Sequence, residues 1–122
     1  MIYGIGNDVV EIARIEKNLG SGRFMSFVYS QAEREAFGGN AQKLAGCFAA
    51  KEALSKALGT GVRGFSLDEI SVLRDALGKP YFVFGGNIAR IVGELGVTAF
   101  VALTNAAGLA VANVNLETDY CV

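Results

Sequence analysis

The chain is 122 residues long with a formal net charge of −1 and no histidine. That length suits one domain over residues 1–122, and the missing histidine excludes histidine bases, Ser-His-Asp or Cys-His nucleophiles and HExxH zinc sites. Apolar residues make up 52% and mean hydropathy is +0.37, which predicts an oligomer with a buried subunit face, while a pI near 5.4 argues against non-specific nucleic-acid binding.

In chain order, the opening MIYGIG lacks the basic region and apolar core of a signal peptide. Residues 2–6 read as a short strand. Asp8 followed by Glu11 resembles a capping box, which makes Asp8 the N-cap of a helix over VVEIARIEKNLG that ends at Gly20. Gly4 and Gly6 form a lone G-x-G that is negligible as a nucleotide motif. Arg14, Lys17 and Arg23 give a modest basic surface on this helix and the loop after it. Ser30 with Glu33 is a second capping box, and the helix SQAEREAF it opens stops at Gly38-Gly39.

The stretch Ala41 to Gly64 is the most informative. At 100° per residue Leu44, Cys47, Phe48, Leu54 and Leu58 share one stripe, so a core-facing helix is predicted. Lys51 lies near the middle of that stripe, and Glu52 and Lys56 lie one turn apart on a flank otherwise made of Ala45 and Ala49. Charges on so apolar a helix are costly without partners. Two accounts stand side by side: an (i, i+4) Glu52/Lys56 pair with Lys51 snorkelling to water, or a functional site. The glycines that follow, Gly59-Thr60-Gly61-Val62-Arg63-Gly64, spell G-x-G-x-x-G in the wrong order for a dinucleotide fold, because they close a helix instead of opening one. Gly59 is more simply a left-handed C-terminal cap, and the turn's amides with Arg63 are also able to cradle phosphate.

Beyond Gly64, Ile70 and Val72 alternate as a strand, DALGKP turns, and Tyr81 to Phe84 return as a hairpin whose Gly78-Lys79-Pro80 offers amides and one cation. GGNIARIVGELG reads as a helix stopped by Gly96. The uncharged run from Leu95 to Leu116 is long enough for a membrane span. Asn105-Ala106-Ala107-Gly108 in its middle, with Asn113 and Asn115 after it, favours two strands over about 97–104 and 109–116 instead. The order β-ααα-ββ-α-ββ indicates an α+β fold, a largely antiparallel sheet with packed helices. Two cysteines, Cys47 and Cys121, make neither a disulfide framework nor a metal cluster and suit a reducing cytoplasm.

GIGNDVVEIARI, LAGCFAAKEALSKALGTG, DALGKP and the final paired strands together resemble the small bacterial 4'-phosphopantetheinyl transferases, the holo-acyl-carrier-protein synthase family. The resemblance spans nearly the whole chain, and the pairing of G-x-D with FxxKEAxxKA is its specific part. It implies transfer of 4'-phosphopantetheine from coenzyme A to a serine of apo-acyl-carrier protein, with release of adenosine 3',5'-bisphosphate. It further implies Mg²⁺ held by Asp8 and Glu52, with Lys56 facing the pyrophosphate, so that Asp8, Glu52 and Lys56 form the catalytic set. Coenzyme A would lie against Lys56, Gly59, Thr60, Gly61, Gly78, Lys79, Pro80 and Thr104, and the acidic carrier protein against Arg14 and Arg23. A cytoplasmic homotrimer with sites between subunits, and neither nucleic acid nor membrane as partner, completes the expectation. Cys47 stands where the family usually has arginine, Thr104-Asn105 where many members have Ser-His, and Asn7 where threonine is usual. Those departures motivate an alternative, a coenzyme A or carrier-protein binder that has lost turnover.

Overall fold

The computed structural model of the chain describes residues 1–118, and Cys121 lies outside them. Strand β1 (Ile2–Glu11) is followed by four helices, α1 (Ile12–Asn18), α2 (Gly22–Val28), α3 (Gln31–Phe37) and α4 (Ala41–Leu58). A 3₁₀ turn at Leu67–Glu69 then leads into the hairpin β2 (Ile70–Arg74) and β3 (Pro80–Phe84), helix α5 (Gly86–Leu95) and the hairpin β4 (Val97–Ala106) and β5 (Leu109–Thr118). The α+β class and the antiparallel pairing are as expected. The strands form two sheets, however: β1-β5-β4 in one, β2-β3 in the other.

Helix α4 runs through the middle and is buried on nearly every side, from Leu44 and Ala45 to Ala57 and Leu58. Its N-terminus is capped by Asn40, whose Oδ1 accepts from Lys43 N at 3.1 Å, and Gly59 closes it with φ 82°, a conformation open to glycine at no steric cost. The three-stranded sheet covers one side of α4, and α1, α3 and β2 also pack against it.

The sheet side is held unusually close. A Cβ on Gly4 would stand 2.0 Å from Ala57 O, and one on Gly6 1.9 Å from Ala53 O, so only glycines let β1 lie on the backbone of α4. The G-x-G near the N-terminus is therefore a packing motif, with the small residues Ala53 and Ala57 as its counterpart.

Two local expectations are corrected. Asp8 does not cap a helix, because β1 continues to Glu11 and its ladder to β5 pairs Asp8 with Ala112 and Glu11 with Leu109. Nine paired residues outweigh one local side-chain cap, and Glu11 occupies the N-cap position with no side-chain bond. The loop expected around Arg23 is helix α2, whose N-cap Ser21 accepts from Phe24 N at 3.2 Å. Its two turns are too few to show a period in the sequence. The second capping box is present as read, with Ser30 Oγ accepting from Glu33 N and Glu33 Oε1 from Ser30 N. The uncharged run forms β4 and β5, and among the described residues no helix is long and apolar enough to cross a membrane.

Candidate active site

Alternation along β1 puts Gly4, Gly6, Asp8 and Val10 on the face turned toward α4. The glycines bring that face so close that Asp8 reaches the helix flank carrying Glu52 and Lys56. Lys56 Nζ donates to Asp8 Oδ1 at 2.9 Å, across 48 residues of sequence. Lys56 is 57% exposed at its side chain and Asp8 19%, so the contact lies at the rim of the core. Of the two accounts of the charges on α4, a simple Glu52/Lys56 pair is not the one realised, because the ion pair of Lys56 is with Asp8.

Glu52 completes the cluster electrostatically. Partial burial, and after it the negative charge of Asp8, push its carboxyl above the ordinary value of 4.5, while Lys56 and Arg14 pull in the opposite direction. Two carboxylates thus repel one another at a partly dry site with one ammonium between β1 and α4. Such a site has the chemistry to attract a further cation. Among the described residues no three acidic, cysteine or histidine side chains cluster as an all-protein metal cage. Mg²⁺ needs no such cage, since one or two carboxylates plus substrate phosphates usually hold it, and Asp8 with Glu52 fit that count.

Arg14, on α1, stands with its guanidinium 5.2 Å from the centre of the Phe48 ring. It also lines a hollow of about 410 Å³ with Glu11, Lys17 and Asn18, and its charge is felt at Glu52. Arg23 is exposed on α2. The remaining expected residues do not converge within one chain. Thr60 lines a hollow of about 250 Å³ with Tyr3, Leu58 and Ile91. Lys79 and Pro80 line another of about 410 Å³ with Tyr81 and Phe100, and the two have no lining residue in common. Gly59 and Gly61 follow α4 with positive φ, and Gly78 sits in the β2–β3 turn with φ 86°. Thr104 lies on β4 opposite Val111, exposed.

Residues 4–112 match the family model of the 4'-phosphopantetheinyl transferase superfamily. The chain belongs to that superfamily. A curated relative, the holo-[acyl-carrier-protein] synthase of Fusobacterium nucleatum, is 48% identical over 95 residues, covering 75% of this chain and 78% of the relative. The crystal structure of holo-[acyl-carrier-protein] synthase from Neisseria meningitidis superposes with a TM-score of 0.88 at 36% identity, covering 97% of this chain and all of that one. The synthase from Bacillus anthracis in complex with CoA (3',5'-ADP) gives 0.81 at 35%, covering 98% and 99%.

One charge on α4 of this transferase points the other way. Lys51 is fully buried, as is its partner Glu33. Lys51 Nζ donates to Glu33 Oε1 at 2.6 Å and to Val28 O at 2.6 Å, and lies 5.4 Å from the centre of the Tyr29 ring. Glu33 also accepts from Ser30 N on Oε1 and from Val72 N on Oε2, each at 2.9 Å. Snorkelling to water is thus not what Lys51 does. Its sequence signal was the lysine in an apolar stripe, but the matching carboxylate was already assigned to a helix cap. Cys47, one turn earlier, is buried, and its thiol donates to Val72 O at 3.5 Å. Burial, followed by the charge of Glu33, pushes that thiol well above its ordinary range, so it is a protonated core group.

Proposed function

We propose that the protein transfers 4'-phosphopantetheine from coenzyme A to a serine hydroxyl of an apo-acyl-carrier protein. The observation that carries this reading is the convergence of Asp8, Glu52 and Lys56 from two elements in a chain of this family. In the reaction the serine oxygen bonds to the phosphorus attached to pantetheine. The bond from that phosphorus to the bridging pyrophosphate oxygen breaks, the serine proton is lost, and adenosine 3',5'-bisphosphate departs with the bond's electron pair.

Asp8 and Glu52 would hold Mg²⁺, which supplies neutralisation of pyrophosphate charge when bound. Lys56, more than half exposed at its side chain, is free to exchange Asp8 for a phosphate oxygen and add a point charge where negative charge grows. Gly59 and Gly61, without side chains, let the donor approach the backbone after α4, with Thr60 between them. Arg14 and Arg23 present cations from α1 and α2 to an acidic carrier.

Gly78, Lys79, Pro80 and Thr104 belong to the same donor site on the reading that it is shared between subunits of a homotrimer. Two features support this. The hollows at Thr60 and at Lys79 are separate within one chain, and the outer face of the β1-β5-β4 sheet exposes Ile5, Val9 and Phe100. Residues 1–122 would act as one domain, in the cytoplasm where coenzyme A and carrier proteins meet.

The test is mass spectrometry of apo-acyl-carrier protein after incubation with the protein, coenzyme A and Mg²⁺. A phosphopantetheine mass gain is expected, and its absence at all enzyme levels rejects the reading. Asp8→Ala should abolish the gain. Binding of coenzyme A by calorimetry without any transfer would establish the binder in its place.

A further inference from the structure

The buried ion pair lies outside the site just described, yet it shares a helix with it. Lys51 and Glu52 are consecutive, so on α4 they point about 100° apart. Whatever fixes the direction of Lys51 also fixes that of Glu52 and, one turn on, of Lys56. The direction of Lys51 is fixed twice, by Glu33 at 2.6 Å and by Val28 O at 2.6 Å. Glu33 is held in turn by Ser30 N and Val72 N, and Ser30 Oγ is bonded to Ser71 Oγ at 2.7 Å. Tyr29 adds a further tie from its hydroxyl to Leu44 O at 2.8 Å. The end of α2, the start of α3, strand β2 and helix α4 therefore meet at one carboxylate and one ammonium.

A buried charge pair is a poor source of stability, since apolar side chains of similar volume commonly do as well or better in its place. Its value lies in directionality. Apolar contacts tolerate a small rotation of a helix, whereas charge-assisted hydrogen bonds of 2.6 Å do not.

We propose that Lys51 and Glu33 are positioning residues of the transfer site, setting the rotation of α4 that delivers Glu52 and Lys56 to Asp8. This rests on the reading of Asp8, Glu52 and Lys56 as the cation and pyrophosphate site. The pair touches neither donor nor acceptor. It acts through α4, and it connects that helix to α2, which carries Arg23.

The experiment replaces both charges with methionine, in Lys51→Met/Glu33→Met, and measures thermal unfolding and calorimetric binding of coenzyme A with and without Mn²⁺. No carrier protein is present, so turnover does not enter. The expected result is an unfolding temperature within a few degrees of the parent's or above it, with the Mn²⁺-dependent part of the coenzyme A affinity reduced roughly 10–100-fold, the size typical for lost outer supports of a metal site. Parental Mn²⁺-dependent affinity in the folded double variant would overturn the proposal. Should the double variant fail to fold, Glu33→Gln, which keeps the shape and removes the charge, decides by the same two measurements. Asp8→Ala is the control for the underlying reading. If it binds coenzyme A in Mn²⁺ as the parent does, the cation site itself is wrong, whatever the double variant shows.

Discussion

Glu52 carries a charge that its surroundings oppose, and this gives it a signature in stability. Burial and Asp8 raise its carboxyl pKa in the folded state, so the folded protein holds that proton more tightly than the unfolded chain does. Ionising Glu52 therefore costs stability as pH rises through the folded value, and the cost is absent below the unfolded one. Glu52→Gln should accordingly melt above the parent at pH 7, with the gap narrowing as pH falls through the raised folded value and closed below about 4.5. Thermal scans across pH check this, and a gap that stays constant rejects it. Transfer by the same variant should be lost. Lys56→Ala should change stability by only about 0–1 kcal/mol, since its ion pair is exposed, yet lower kcat by roughly 10²–10³-fold if it stabilises the leaving phosphate. The sequence made Glu52 and Lys56 conspicuous by placing charges on an apolar helix. It concealed the role of Lys51, because Glu33 serves at once as a capping-box residue and as a buried counter-ion. A local motif that explains a residue fully gives no reason to look for a second partner.

At the scale of elements, the joint between β1 and α4 decides whether the site exists. Gly6→Ala would drive a methyl into Ala53 O and should destabilise the protein by about 1–3 kcal/mol, as overpacking does. Gly22→Ala, at the first position of α2 with nothing within 4 Å of the added carbon, should be neutral or stabilising by about 0.4–1 kcal/mol. Urea unfolding of both variants measures the contrast, and equal midpoints would contradict the packing account. Most elements were legible from period and punctuation: α3 from its capping box and glycine stop, α4 from its stripe, and β4 and β5 from the turn inside an uncharged run. The extent of β1 was not. Its second half pairs with residues 109–113 at the far end of the chain, and no local pattern reports such a partner. The pattern Asp-x-x-Glu reads as a cap in isolation, and it yields to a ladder only once that ladder is known.

For the whole molecule, the outer sheet face is the surface that asks for a neighbour. Phe100 is 49% exposed there and Ile5 59%. On the proposed homotrimer with a shared donor site, Phe100→Lys should leave 12.8 kDa monomers by light scattering, and coenzyme A binding should fall with it, because Lys79, Pro80 and Phe100 share one hollow. A variant that keeps the parental mass would reject this face as the interface. The expectation of an oligomer rested on the high apolar fraction alone, whereas which apolar face is exposed depended on the alternation of three strands and on which side α4 covers.

The contact of Gly4 and Gly6 with the carbonyls of Ala57 and Ala53 has one more consequence. Asp8 lies on one side of that contact and Glu52 on the other, and nothing flexible intervenes between them. The two carboxylates are thus carried on two backbones held in close apposition at Gly4 and Gly6. Their separation changes if β1 lifts from α4, which amounts to opening the core, or if α4 turns about its own axis, the motion that the Lys51–Glu33 pair opposes. The part of the site able to move without disturbing that contact is the long, exposed side chain of Lys56.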